Sequence, residues 1–331
     1  MGVKLKDLAS SKEINVRELS RKTIAIDAFN WIYQFLTTIR LADGSYLTDK
    51  TGEITSHLNG LFYRTMNLII NNVTPVFVFD GPAPMFKKAT NIERARAKEE
   101  ARKLAEEAET EEERIMYMKR TITINDRIIS SSKELLSLMG VKTIQAPAEG
   151  EAQAAYMNLK GDAYGVASQD YDALLFGAKR LIRNLNITNK RKLPGKGIST
   201  EVSPQLIDSN ALYQSLGISR EQLILIALFV GTDYNKGVKG IGPKKAFAIV
   251  KKDKKESILK SYDFGCEYDI NDVFNYFMNP NVTDTDKTPP STIDKDKLVE
   301  FLCDVHSFSK DRIGSYIEKI KKESSLLRYD R

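Results

Sequence analysis

Asp27 closes the run TIAI, Asp80 closes VFVF, Glu149 and Glu151 stand just beyond VKTIQ, and Asp170 and Asp172 follow YGVAS. A seventh acid, Asp233, follows the apolar run LILIALFVG. In an open α/β sheet the carboxyl ends of the strands converge on one crevice, where ligands bind. Carboxylates gathered there repel one another, and burial pushes some of them towards protonation. Divalent cations are the usual remedy. A single Asp at one strand end is as readily a turn former, and either glutamate alone could serve a helix N-terminus, where negative charge is favoured. Their joint occurrence at four strand ends is much harder to explain without metal. The donors are all oxygen, which suits Mg²⁺ or Mn²⁺ rather than zinc. Seven acids are generous for one ion and reasonable for two, and two ions ~3.5–4 Å apart can serve phosphodiester cleavage.

A second signal is GVKGIGPKKA (237–246), directly after Asp233. Two glycine-flanked turns, ending at Gly240 and Gly242, lead into a helix that opens on Pro243, a favoured first-turn residue. Exposed backbone N–H groups at such a turn bind phosphate, and Lys244 and Lys245 add charge. The alternative is an ordinary helical hairpin joined by a glycine turn. There is no Walker A sequence, so nucleotide hydrolysis has no support.

The elements that must position these residues alternate between strand-like and helix-like runs up to about residue 255, which predicts a mostly parallel sheet flanked by helices. TIAID (23–27), VTPVFVFD (73–80), VKTIQ, AYGVAS and RLIRNL read as strands. Helices are expected over FNWIYQFLTTIR, SHLNGLFYRTMNLII, RIISSSKELLSLMG and EGEAQAAYMNLKG, and from about Pro204 to Phe229. KRKLPGKG reads as a basic turn. Residues 87 to about 120 are rich in Lys, Arg, Glu and Ala, a solvated helix with little core of its own. Arg94, Lys98 and Arg102 share one face there, and Glu99 to Lys103 is an i,i+4 pair. Placed directly after an active-site strand, such an insertion suits a gate. Residues 279–297 read as a polar linker, and two closing helices, KLVEFLCDVHSF and RIGSYIEKIKKE, carry apolar faces that should pack back on the core.

The totals agree with this picture. A chain of 331 residues, 42% hydrophobic and 28% charged, is long enough for one large α/β core or two smaller units. Its formal charge of +6 leans towards polyanionic partners. Cys266 and Cys303 are the only cysteines and His57 and His306 the only histidines, so a disulfide framework, a zinc cluster or a catalytic His–carboxylate arrangement is not expected. The histidines are expected to be satisfied structural residues. No apolar run approaches the ~20 residues of a membrane span, and no secretory signal is recognisable.

DAFNWIYQFL, TSHLNGLFYRT, VFVFDG, EGEAQAAYM, SQDYDALLFGAKRLIRNL and GTDYNKGVKGIGPKKA resemble, in order, the motif set of the structure-specific 5′ nucleases of the XPG family. Within it they are most similar to flap endonucleases of archaeal type. The likeness runs from Met1 through FLCDVHSF. It implies an α/β fold whose mostly parallel central sheet carries a helical arch (about 86–133) and a helix–two-turn–helix module (about 219–252). A nuclease core would span 1–256, and a C-terminal helical region (257–331) would pack back on it. It also implies a Mg²⁺-dependent enzyme, with Mn²⁺ able to substitute, that cuts DNA at the base of 5′ flaps in Okazaki-fragment maturation and repair, with 5′–3′ exonuclease activity a further expectation.

Matched residue by residue, the resemblance puts the metal on Asp27, Asp80, Glu149, Glu151, Asp170, Asp172 and Asp233, with Asp80 and Glu151 among the catalytic acids. Lys87 and Arg94 would position the scissile phosphate. Tyr33 is similar to an aromatic on which the 5′-terminal base stacks, with core packing as the alternative. Gly231, Asp233, Gly240, Gly242, Lys244 and Lys245 would face duplex DNA, with a K⁺ ion on backbone carbonyls. A sliding clamp (PCNA) is a partner by kinship, although SSLLRYDR lacks the family's clamp-binding motif. An intracellular, nucleoid-associated protein would follow. The runner-up is a sister nuclease preferring nicks, gaps, bubbles or junctions. A silent DNA-binding scaffold would show losses among the seven acids, and there are none; a PIN-type ribonuclease would be far shorter.

Overall fold

Alternation of side chains along each strand builds two cores on the two faces of one sheet. The computed structural model describes residues 3, 5–187, 190–192, 199–286, 288 and 291–326. In chain order the strands are β1 (Lys12–Glu13), β2 (Thr23–Asp27), β3 (Thr74–Phe79), β4 (Lys142–Gln145), β5 (Gly165–Ala167), β6 (Arg180–Arg183), β7 (Lys190–Lys192), β8 (Ser199–Glu201) and β9 (Gln205–Asp208). Among the described residues the main sheet has seven strands in the order β1-β9-β6-β5-β2-β3-β4, and β7 and β8 form a separate hairpin. From β6 to β4 every pair is parallel. β9 and β1 extend the far edge antiparallel.

Ile24, Ile26, Phe77 and Phe79 point to one face, Ala25, Val76 and Val78 to the other, as the two-residue period of a pleated strand requires. The first face packs against the helices Ala28–Thr38, Ser56–Ile70 and Asp126–Leu138. In Ser56–Ile70 the buried Leu58, Leu61, Phe62 and Met66 recur at helical spacing, each worth about 1.5–3 kcal/mol when fully buried. The second face takes the helices Gly150–Lys160, Ser209–Leu216, Arg220–Val230 and Pro243–Lys252. The closing segments do fold back: Leu298, Phe301, Leu302, Cys303, Ile313 and Ile317 join the first core. The first of them is a short α-helix, Lys295–Val299, that widens into a π-helical turn, Glu300–Val305, and the second is the helix Lys310–Leu326.

Three local readings of the sequence are corrected. The stretch after Pro204 begins as β9, and helix starts only at Ser209, where Asp208 accepts from the Ala211 amide as N-cap. Glu99 pairs with Arg102 at 3.3 Å, one residue short of the expected Lys103. RLIRNL is strand only as far as Arg183. The LPGKG part of the basic turn (193–197) lies outside the described residues, as does the end of the chain from 327. After β3 the chain leaves the sheet through a 3₁₀ turn, Met85–Lys87, into the helices Lys88–Glu106 and Glu111–Met118, which pack on each other as a helical arch. Ala101 is the one buried residue of Lys88–Glu106, in keeping with its polar composition.

Candidate active site

β2 pairs with β5 on one side and β3 on the other, so the chain switches direction across the sheet at β2. Such a switch point opens a crevice at the carboxyl ends of the strands. Asp27 is the last residue of β2 and also N-caps the following helix, its Oδ1 accepting from the Asn30 amide at 3.0 Å. Asp80 follows β3, and its Oδ1 accepts from the Gly150 amide at 2.7 Å. Two glycines permit this close approach: a Cβ on Gly150 would lie 2.7 Å from Asp80 Oδ1, and one on Gly81 would lie 2.3 Å from the Ala146 carbonyl. Only bare backbone lets the loop after β4 close over the end of β3.

Ser168, just past β5, ties two acids together. Its hydroxyl lies 2.6 Å from Glu151 Oε1 and 3.3 Å from Asp27 Oδ2. Asn30 Nδ2 donates to Asp170 Oδ2 at 3.3 Å, and the Val3 amide donates to Asp172 Oδ1 at 2.9 Å. Glu149 occupies the N-cap position of Gly150–Lys160 without making a capping bond. Its carboxylate instead accepts from Lys87 Nζ at 2.8 and 3.0 Å. Lys87 also lies 3.4 Å from Asp233 Oδ2, while Arg94 holds Asp233 Oδ1 at 2.6 Å and the Thr90 hydroxyl donates to the Asp233 carbonyl. The base of the arch is thereby drawn onto the acids.

The electrostatics match this crowding. Burial, then the charge of Asp80, pushes Asp27 up to about 8. Burial, then Asp233 and Asp170, pushes Asp172 to about 7. Glu151 is raised well above the carboxylate range by burial and by Asp27, and Asp80 and Glu149 are raised chiefly by burial. Asp233 is lowered: burial works against it, but the positive groups around it, Lys87 and Arg94 among them, prevail. Lys87 is held charged, its burial outweighed by Glu149 and Asp233. Seven carboxylates thus face two cations.

Among the described residues no three acidic, imidazole or thiol groups converge on one point tightly enough to hold an ion as they stand. Lys87 and Arg94 take up Glu149 and Asp233 instead. The donor set nevertheless fits hard cations. It is all oxygen, and its protons are held first by burial and then by mutual repulsion, so a divalent ion could displace them.

Of the other residues singled out in the sequence, Tyr33 is 44% exposed on its helix, which sets aside core packing. Gly231 ends the helix Arg220–Val230 at φ 100°. Gly240 sits at φ 81°, and Gly242 N-caps Pro243–Lys252, with open space beside both. Lys245 donates to the Gly240 carbonyl at 3.2 Å, and Lys244 and Lys245 are exposed at this turn. Arg102 instead turns to its exposed neighbour Glu99.

The histidines lie elsewhere. His57 Nε2 lies 2.8 Å from the Ser131 hydroxyl, but its buried Nδ1 has no hydrogen-bond partner among the described residues, so this ring is only half satisfied there. His306 Nδ1 meets Asp49 at 2.9 Å, and both rings line one cavity that none of the seven acids touches. Sequence reasoning missed Ser168, Asn30 and Thr90. Ser168 carried the best signal, lying in the same SQD strand end as Asp170.

Residues 1–101 match the XPG N-terminal domain and residues 140–233 the XPG I-region. Flap endonuclease 1 of Thermococcus onnurineus is 49% identical over 326 residues, covering 97% of this chain and 95% of the relative. Flap endonuclease 1 of Pyrococcus furiosus is 48% identical over 327 residues, with 97% and 95% covered. The solved flap endonuclease-1 from Methanococcus jannaschii superposes with a TM-score of 0.78 at 36% identity, covering 98% of this chain and all of that one. The catalytic core of Rad2 in complex with DNA substrate shares the fold, with a TM-score of 0.70 at 24% identity over 97% of this chain and all of that one.

Proposed function

The chain belongs to the flap endonuclease group of the XPG family, and from that premise we propose that its acids hold two Mg²⁺ ions to cut DNA at the base of 5′ flaps. The observation that carries the metal reading is the gathering of Asp27, Asp80, Glu151 and Asp172 at one sheet edge, each with its carboxyl pushed up. Asp27, Asp80, Glu149, Glu151, Asp170, Asp172 and Asp233 would share the ions, and Mn²⁺ would substitute. When bound, such ions supply an activated water and offset the charge at the departing oxygen.

The chain's own residues bind and orient the DNA. Lys87 and Arg94, now paired with Glu149 and Asp233, carry the positive charge that would grip the scissile phosphate once those carboxylates turn to metal. Ser168 and Asn30 hold Glu151 and Asp170 in place. Tyr33, exposed on the helix that Asp27 caps, offers a ring for the terminal base. The turn at Gly240 and Gly242, with Lys244 and Lys245, would take backbone phosphates of the duplex, with K⁺ on its carbonyls. We further propose 5′–3′ exonuclease activity on the same site, work at the nucleoid, and a sliding-clamp partner; this last rests on kinship alone.

A panel of labelled flap, nick, bubble and junction substrates tests the reading. Cutting near the flap base should require Mg²⁺ and stop in EDTA. Asp172→Ala should abolish it while DNA binding in Ca²⁺ persists. Undiminished cutting by that variant would overturn the site, and a clear preference for nicks, bubbles or junctions would overturn the substrate.

A further inference from the structure

A cluster of aromatic rings at the base of the arch takes no part in the roles assigned above. Phe86 immediately precedes Lys87. Its ring meets Tyr268 edge-on at 5.3 Å between centroids and Tyr276 at 5.6 Å, and the Tyr268 hydroxyl donates to the Met85 carbonyl at 2.9 Å. Tyr276, on the helix Ile270–Met278, also lies 5.4 Å from Tyr234 and 5.9 Å from Phe176. Three of these rings, Phe86, Tyr234 and Phe176, are next to, or within one helical turn of, a site residue. Phe86 adjoins Lys87, Tyr234 adjoins Asp233, and Phe176 ends the short helix Asp172–Leu175 that opens on Asp172. Tyr276 thus touches three backbone segments that must keep register for the arch to meet the acids. Tyr276 is the ring that joins them.

Its hydroxyl is the second observation. It is buried and, among the described residues, has no hydrogen-bond partner in normal geometry. A phenylalanine would fill the same space without an unsatisfied polar group, so a buried orphan hydroxyl calls for a partner in another state of the site. Lys87 supplies the reason for one. An ammonium has three donors, and here it spends them on the two Glu149 oxygens and on Asp233. To grip a phosphate it must give up at least one.

We propose that Tyr276 is a positioning residue for cleavage. Its ring sets Lys87 against the acids through Phe86 and Tyr234, and its hydroxyl gains its partner at the base of the arch when Lys87 moves to the scissile phosphate. The Tyr234 phenol, its ring 5.4 Å away, lies close to that hydroxyl.

This rests on the proposed reaction, and a double-mutant cycle on flap DNA keeps the two apart. Single-turnover rates, DNA affinity in Ca²⁺ and thermal stability are measured for Tyr276→Phe, Tyr276→Ala and Phe86→Ala, each with Lys87 and with Lys87→Ala. Tyr276→Ala should slow cutting on the order of 10- to 100-fold, as loss of orientation does, with DNA affinity unchanged. Tyr276→Phe, which removes only the hydroxyl, should slow it about 2- to 10-fold. Both effects should vanish in the Lys87→Ala background. Should Tyr276→Ala melt early, Phe86→Ala applies the same test from the partner ring. Equal losses with and without Lys87, or wild-type rates for Tyr276→Ala, would overturn the inference. Failure of the wild-type protein to cut flaps would instead defeat the reading beneath it.

Discussion

Replacing Asp27 with asparagine should make the metal-free protein more stable and the metal-loaded one inactive. Asp27 is 6% exposed, and its carboxyl is pushed from 3.8 to about 8 by burial and by Asp80. The sign follows from linkage. The folded state keeps a proton that the unfolded chain releases above pH 3.8, so the benefit of burying the neutral acid is full below that pH. It is lost as pH rises through about 8. At about 1.36 kcal/mol per pH unit, the span from 3.8 to 8 bounds the cost of the buried charge at about 6 kcal/mol, and water entering the site leaves several. Asparagine removes that cost without breaking the local bonds. It caps a helix as well as aspartate does, so the Asn30 amide keeps its acceptor. Its Nδ2 can donate to Ser168, whose own proton goes to Glu151.

Thermal unfolding in EDTA at pH 8 and pH 5 checks this. At roughly 2–4 °C per kcal/mol for domains of 150–250 residues, the variant should melt several degrees above wild type at pH 8, and the gap should narrow at pH 5. Mg²⁺ should raise the wild-type midpoint at pH 8 and leave the variant nearly unmoved. A variant no more stable than wild type in EDTA at pH 8 would refute the argument that Asp27 is a strained, metal-awaiting carboxylate.

Because Asp27 and Asp172 hold protons up to about 8 and about 7, Mg²⁺ must displace them. Calorimetry in buffers of different ionisation heat should show proton release at pH 6.5, with affinity rising up to about tenfold per pH unit for each proton displaced; affinity flat from pH 6 to 8.5 would contradict it. Gly150→Ala puts a Cβ where Asp80 Oδ1 lies at 2.7 Å, so it should cost about 1–3 kcal/mol, the usual penalty of overpacking. It should also weaken Mg²⁺ binding, and unaltered Mg²⁺ affinity would show that Asp80 is not held by that amide. Replacing Lys244 and Lys245 together by alanine should weaken duplex binding at all sequences and reduce the slope of log affinity against log salt by about two, read by anisotropy over a salt series.

The sheet and its acids were legible because β2, β3 and β5 are apolar runs that stop abruptly at polar residues, and in a parallel sheet all such stops lie on one edge. β9 was not, because only Ile207 of its four residues is buried and the pattern runs into a helix at Ser209. β1 is two exposed residues paired, among the described residues, with β9 alone. Glu99 was expected on Lys103 from spacing alone, but i,i+3 and i,i+4 neighbours compete on an exposed helix and Arg102 took it. The ties among site residues, Ser168 to Glu151 or Lys87 to Glu149, join positions 17 and 62 residues apart. No local pattern encodes such pairs. Nothing in the sequence singles out Tyr276; its link to the arch is visible only where Phe86 and Tyr234 meet its ring.

Crystals soaked in Mn²⁺ and measured at its absorption edge test the central claim most directly. Two anomalous peaks about 3.5–4 Å apart, ringed by oxygens of Asp27, Asp80, Glu151 and their neighbours, with Lys87 withdrawn from Glu149, are the predicted result. An empty carboxylate cluster, or manganese bound only elsewhere on the protein, would contradict it.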